Sequence, residues 1–166
     1  MKRLFLFLTL GVWLASAQEP KKFAVRKPSD EFVGAWRLIS FDRRTAAGAL
    51  TYPLGEHPVG RLTYDAVGRM SAQLMQPDRP RFTANDTART GSAEEKIAAY
   101  EGYTAYYGTY TVNDADRTVV HHVEASLYPN WVGSDMPRKY EFSGDRLTLR
   151  VVNGKGESRL VWERVR

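Results

Sequence analysis

The chain has 166 residues, 43% of them hydrophobic and 12% aromatic, with no cysteine and a formal charge of +5. That length suits one well-buried domain. The missing cysteines exclude disulfide staples and thiolate metal ligands, and a small positive excess scattered along the chain argues for a solvated surface and against a nucleic-acid partner.

Residues 1–17, MKRLFLFLTLGVWLASA, start with Lys2 and Arg3, run apolar from Leu4 to Leu14 and end in Ala15-Ser16-Ala17. This is the order of a cleaved signal peptide. The apolar run is shorter than the about 20 residues that span a bilayer as a helix. The expectation is export to the periplasm or the medium, a mature chain from Gln18, and no stable membrane insertion after cleavage. No cysteine follows the run to carry a lipid. Removing these residues lowers the formal charge to +3. Residues 18–32, polar and marked by Pro20 and Pro28, read as a flexible lead-in to a single domain over 33–166.

From residue 33 a period-two alternation dominates. The first strand is expected from Val33 to Asp42, with Trp36, Leu38 and Ser40 on one face. The second, Val59 to Asp65, alternates Leu62 and Tyr64 with Arg61, Thr63 and Asp65. Ala66-Val67-Gly68 is a tight turn. A third strand follows, with Met70, Ala72 and Leu74 opposite Arg69, Ser71 and Gln73. Residues 76–91 read as loop. Ser92-Ala93-Glu94-Glu95 has the form of a capping box: the Ser92 hydroxyl accepts from the Glu95 N–H, and the Glu95 carboxylate reaches back. A short helix through Tyr100 is expected, stopped by Gly102. Strands then follow over Thr104–Val112, Thr118–Ser126, Arg138–Phe142, Arg146–Val152 and Arg159–Val165, separated by Asn, Asp and Gly turns.

In an up-and-down sheet, alternate connections lie at the same end. Here the turns at residues 66–68, 113–116 and 143–145 are tight. At the other end residues 43–58, the helix-bearing stretch and 128–137 are long. Eight strands can close on themselves and remove their edges, leaving room for side chains or one small ligand. The expected fold class is all-β: an eight-stranded antiparallel up-and-down β-barrel with one short helix between the third and fourth strands. Its base is shut by turns and its mouth carries the loops.

Gly34-Ala35-Trp36 resembles the Gly-x-Trp signature of lipocalins and the wider calycin group. The stretches GAWRLISF, PVGRLTYDAVGRMSAQL, AYYGTYTV, VVHHVEASLYPNWVGSD and SGDRLTL together resemble a bacterial and fungal lipocalin-like domain family, over about residues 32–165. The resemblance implies a calycin barrel of poorly defined function. Lipocalins proper generally bind small apolar molecules. The resemblance also implies that Arg164, on the last strand, packs across Trp36 at the base, beside Gly34. The first strand leaves the base and the last returns to it, which brings the two residues to one end. A guanidinium stacked on an indole contributes about 0.5–2 kcal/mol. Trp36 then reads as structural and not as a ligand contact.

His121 and His122 are adjacent on a strand, so their side chains point to opposite faces. They cannot share one ion, and His57 is the only other histidine; no metal site and no cofactor are expected. Val119, His121, Val123 and Ala125 form the more apolar face, which turns His121 inward, either satisfied by a tyrosine hydroxyl or bonded to a ligand. Arg138, Tyr140 and Phe142 face inward opposite Lys139 and Glu141. An inward Arg138 needs a partner, either Glu56 or Asp135 at the rim or a ligand group. Tyr106 and Tyr110 flank Gly108, which either bends its strand or makes room for a ligand. Tyr64 completes a tyrosine wall, and Trp131 sits in a mouth loop. The candidate ligand-binding residues are therefore Tyr64, Tyr106, Tyr110, His121, Trp131, Arg138 and Tyr140, with Gly34, Trp36 and Arg164 as the structural base.

Aromatic walls with a few polar groups fit a small, flat or mixed-polarity organic molecule. The leading expectation is an exported binding protein, its oligomeric state left open. An enzyme of isomerase, cyclase or lyase type would use His121 as acid or base, with Arg138 or a tyrosine stabilising an oxyanion. Haem ligation by the inward histidine is a third possibility.

Overall fold

The computed structural model describes residues 30–83, 90–154 and 156–166. The expected signal peptide, and the lead-in up to residue 29, lie outside the described residues. The elements are β1 (Gly34–Thr45), β2 (Leu50–Thr51), β3 (Val59–Tyr64), β4 (Arg69–Met75), α1 (Ala93–Glu101), β5 (Tyr103–Asn113), β6 (Thr118–Ser126), β7 (Asp135–Ser143), β8 (Arg146–Asn153) and β9 (Gly156–Arg164). From β1 and β3 through β9 each strand pairs antiparallel with the next, and β9 returns to pair with β1. Among the described residues this is a closed eight-stranded barrel, as the alternation and connection lengths require. The two-residue β2, not anticipated, folds back onto Arg43 and Arg44 at the mouth end of β1.

Helix α1 begins as expected. Ser92 accepts from the Glu95 N–H at 3.2 Å, and the Glu95 carboxylate takes the Ser92 N–H at 2.8 Å. The same carboxylate accepts from the Thr83 N–H at 2.7 Å. At the other end Arg79 donates to the Ala99 carbonyl at 2.9 Å, a favourable place for a cation at a helix C-terminus. The helix buries none of its residues.

Local irregularities change the expected faces. β1 has a bulge against β9 between Leu38 and Ser40. The extra residue reverses the inside–outside alternation above it. Trp36 and Leu38 are buried below the bulge; above it Phe41 and Arg43, not Ser40, reach the interior. A second bulge interrupts β5 and β6 at Tyr107/Gly108. A Cβ on Gly108 would lie 1.9 Å from the His122 carbonyl oxygen. Gly108 therefore admits the neighbouring backbone, not a ligand. β7 also starts three residues before the expected Arg138. Its first residues pair with β6 but not with β8, whose ladder begins at Lys139. A proline is tolerated in such a half-paired segment, so Pro137 does not end the strand.

The base is filled by aromatic rings. Phe32, placed by sequence in the lead-in, is fully buried. Its ring centroid lies 5.2 Å from Tyr64 and 4.9 Å from both Tyr140 and Phe142, in edge-to-face arrangements. The Trp36 indole donates to the Phe32 carbonyl at 2.9 Å. Arg164 pairs with Trp36 in the β1–β9 ladder and lies 4.2 Å over its ring. The same guanidinium donates to the carbonyls of Val33 at 2.8 Å and Glu31 at 2.6 Å. Gly34, at φ +135°, leaves space for it, since a Cβ there would stand 3.0 Å from the Arg164 Nη1. Phe32→Ala is expected to destabilise the protein by about 3–5 kcal/mol. Urea unfolding checks this, and a loss below about 1 kcal/mol would show that the ring is not a core element.

Candidate functional site

Above the aromatic base the barrel encloses a cavity of about 550 Å³. Its wall is mainly apolar, with Leu62, Leu74, Met136, Leu149, Leu160 and Trp162 contributed by several strands around the barrel. Thr104, Tyr106, His121 and Arg138 place polar groups among them, and Arg43, Asp135, Asn153 and Ser158 stand toward the mouth. Size and mixture suit a small organic molecule.

Four of the expected residues meet here: Tyr106, His121, Trp131 and Arg138. A 3-10 turn over Pro129–Trp131 carries Trp131, whose ring meets Tyr106 edge-on at 5.8 Å. Tyr64, Tyr110 and Tyr140 do not line the cavity. They form the layer beneath it and pack on Phe32. The Tyr110 hydroxyl donates to the Asp65 carbonyl at 2.9 Å, and that of Tyr140 to the Asp114 carboxylate at 2.7 Å. Burial pushes both phenols up to about 12, and the neighbouring carboxylates push the same way.

His121 links the two layers and is completely buried. Its Nε2 lies 2.6 Å from the Tyr64 hydroxyl and its Nδ1 3.0 Å from the Tyr106 hydroxyl. Two tyrosines satisfy it, where the sequence reading allowed one. Burial, reinforced by the Arg138 charge and by His122, holds His121 well below the usual histidine range, so the ring is neutral. A neutral imidazole has one donor and one acceptor nitrogen. Tyr64 lies in the dry layer at 2% exposure whereas Tyr106 borders the cavity, so the tautomer that strands no proton in that layer has the Tyr64 O–H donating to Nε2. Nδ1–H then donates to Tyr106. With both nitrogens engaged, no imidazole lone pair faces the cavity, which disfavours haem ligation and proton transfer through His121.

Arg138 donates to the Met136 carbonyl at 2.8 Å and to the Tyr106 hydroxyl at 3.1 Å. Neither Glu56 nor Asp135 pairs with it. Asp135 instead bonds His122 Nδ1 at 2.6 Å, while His122 Nε2 lies 3.0 Å from the Thr111 hydroxyl. Among the described residues no group of three or more His, Cys, Asp or Glu could hold a metal ion.

Sequence reasoning missed Trp162 and Phe41. Trp162 is in phase with Leu160 and Arg164 on β9, so the alternation carried its signal. Phe41 was hidden by the bulge, which no local pattern announced.

Residues 33–165 match a family model described as a lipocalin-like domain. A curated relative, the 4'-hydroxy-3'-methoxypropiophenone carrier protein ppsC of Aspergillus oryzae, is 39% identical over 90 residues, which is 51% of this chain and 80% of that protein. Among solved structures, a mutant of the fluorescent protein UnaG aligns with 82% of this chain and 97% of its own, at 12% identity and a TM-score of 0.38. A likeness that weak carries no weight for function.

A histidine held neutral in the fold and free to protonate when unfolded makes unfolding take up a proton. Its stabilising contribution is complete above the unfolded value of about 6.5 and is lost as the pH falls toward the depressed folded value. The expected slope is about 1.4 kcal/mol per pH unit below about 6.5. Urea unfolding at several pH values should show this slope in the native protein and its loss in His121→Gln. An equal slope in both would contradict the assignment.

Proposed function

This chain belongs to the lipocalin-like domain family, and from that premise we propose that it is an exported carrier of a small aromatic or mixed-polarity organic molecule, held in the barrel cavity. The observation that carries the reading is the cavity itself. It has the Trp131–Tyr106 aromatic pair on one side and holds Arg138 among apolar neighbours. A flat ring gains dispersion and edge contacts from such a wall, and a few fixed polar groups orient it. A curated relative is named a carrier of an aryl ketone, a molecule of that class. Catalysis through His121 has less support, because the ring would first have to break two hydrogen bonds in a buried layer. Export follows from the basic, apolar and small-residue order of residues 1–17.

The reading is tested by titrating 4'-hydroxy-3'-methoxypropiophenone and related aryl ketones and phenols into the purified protein, by calorimetry. Saturable one-to-one binding is expected, weakened about fivefold by Trp131→Ala, the equivalent of about 1 kcal/mol for an aromatic contact. Absence of saturable binding across the panel would refute the carrier reading. N-terminal sequencing addresses export separately. Protein recovered outside the cytoplasm should begin at Gln18, whereas an intact Met1 start on cytoplasmic protein would refute cleavage.

A further inference from the structure

We infer that the cavity takes an organic anion, whose acid group is held by Arg138 and Tyr106; this rests on the carrier reading and specifies the charge of its cargo. Arg138 has no carboxylate partner among the described residues. It bonds the Met136 carbonyl at 2.8 Å, the Tyr106 hydroxyl at 3.1 Å and the Met136 sulfur at 3.6 Å, all of them neutral. A guanidinium offers five N–H donors, and a cation lining an apolar cavity calls for a counter-charge. Asp135, the carboxylate at the same rim, is bonded to His122 on the outer face.

Hydrogen counting points the same way. In the tautomer in which Tyr64 donates to Nε2, the Tyr106 oxygen accepts from His121 Nδ1–H and from Arg138. Its own proton is left without a protein acceptor among the described residues, and its ring lines the cavity. Trp162, 1% exposed in the same wall, has an indole N–H with no partner. Buried donors without acceptors are rare in native proteins. Arg138, Tyr106 and Trp162 all donate, and one of them is charged. His121 adds no second charge, because its ring is neutral. A carboxylate, a sulfonate or an ionised phenol would accept from these groups and neutralise the guanidinium. An amine or a plain hydrocarbon would do neither.

The test uses two fluorescent probes with one skeleton, 8-anilinonaphthalene-1-sulfonate and neutral N-phenyl-1-naphthylamine, titrated into the purified protein. The sulfonate is expected to bind about tenfold more tightly than the neutral probe, the scale of a charge-assisted hydrogen bond. Arg138→Met should bring that ratio close to one. Arg138→Lys should retain part of it, and Arg146→Met, at an exposed position on β8, should leave it in place. A native ratio near one overturns the inference, and this measurement needs no variant to fold. A ratio that survives Arg138→Met, or that falls equally in Arg146→Met, also overturns it, by assigning the preference to the general surface charge. Binding of neither probe overturns the carrier reading and the inference together.

Discussion

The aromatic plug at the base is the constraint on which the rest of the molecule depends. An eight-stranded barrel has two ends, and a one-ended cavity requires that one of them be filled. Phe32 enters from outside the strands and places its ring among Tyr64, Tyr140 and Phe142. Its carbonyl takes the Trp36 indole proton, and Arg164 clamps the incoming backbone while stacking on Trp36. The incoming strand and the returning strand are thus fastened to each other where the barrel closes. With no disulfide in the chain, that closure relies on packing and hydrogen bonds alone.

The plug determines what kind of cavity can exist above it. Tyr64 packs on Phe32 from below and bonds His121 from above. His121 in turn bonds Tyr106, which accepts from Arg138 at the cavity wall. A chain of neutral groups therefore connects the dry base to a single guanidinium. Desolvation is what keeps the chain neutral: it raises the tyrosines and lowers the histidine. The positive charge of Arg138 adds to the depression of His121. Arg138 and Tyr106 thereby form a polar spot in a mainly apolar wall, apart from Arg43, Asp135, Asn153 and Ser158 toward the mouth.

The mouth is built differently. Helix α1 buries none of its residues and is held by its cap, by Thr83 and by Arg79. The start of β7 pairs on one side only. Exposed Tyr100, Leu127, Tyr128 and Val132 cluster in this part of the chain. Tight packing below and lighter tethering above give the barrel a firm floor and a more adjustable rim, in line with the general rule that binding segments belong to the less stable parts of a fold.

The packing of Arg164 on Trp36 was implied by the family resemblance, while strand alternation, turn chemistry and connection lengths were enough to read the closed barrel, the capped helix and the inward His121. These features repeat with a fixed period or follow from which end a connection occupies, so they are written locally. The division of the tyrosines was not legible. Tyr64, Tyr106, Tyr110 and Tyr140 all alternate inward, yet only Tyr106 reaches the cavity, because depth along the barrel depends on the stagger between strands. Nor could the sequence show that Phe32 turns back into the base or that a bulge at Leu38/Ser40 shifts the inner face of β1, although Gly108 had offered a bend at the Tyr107/Gly108 bulge as one of two alternatives. Sequence by itself determined which residues face inward along most strands, since a side chain's face is decided by its immediate neighbours. Only the tertiary structure decided which of them meet, because register and bulges depend on the strand hydrogen-bonded alongside, which for β1 is β9 at the far end of the chain.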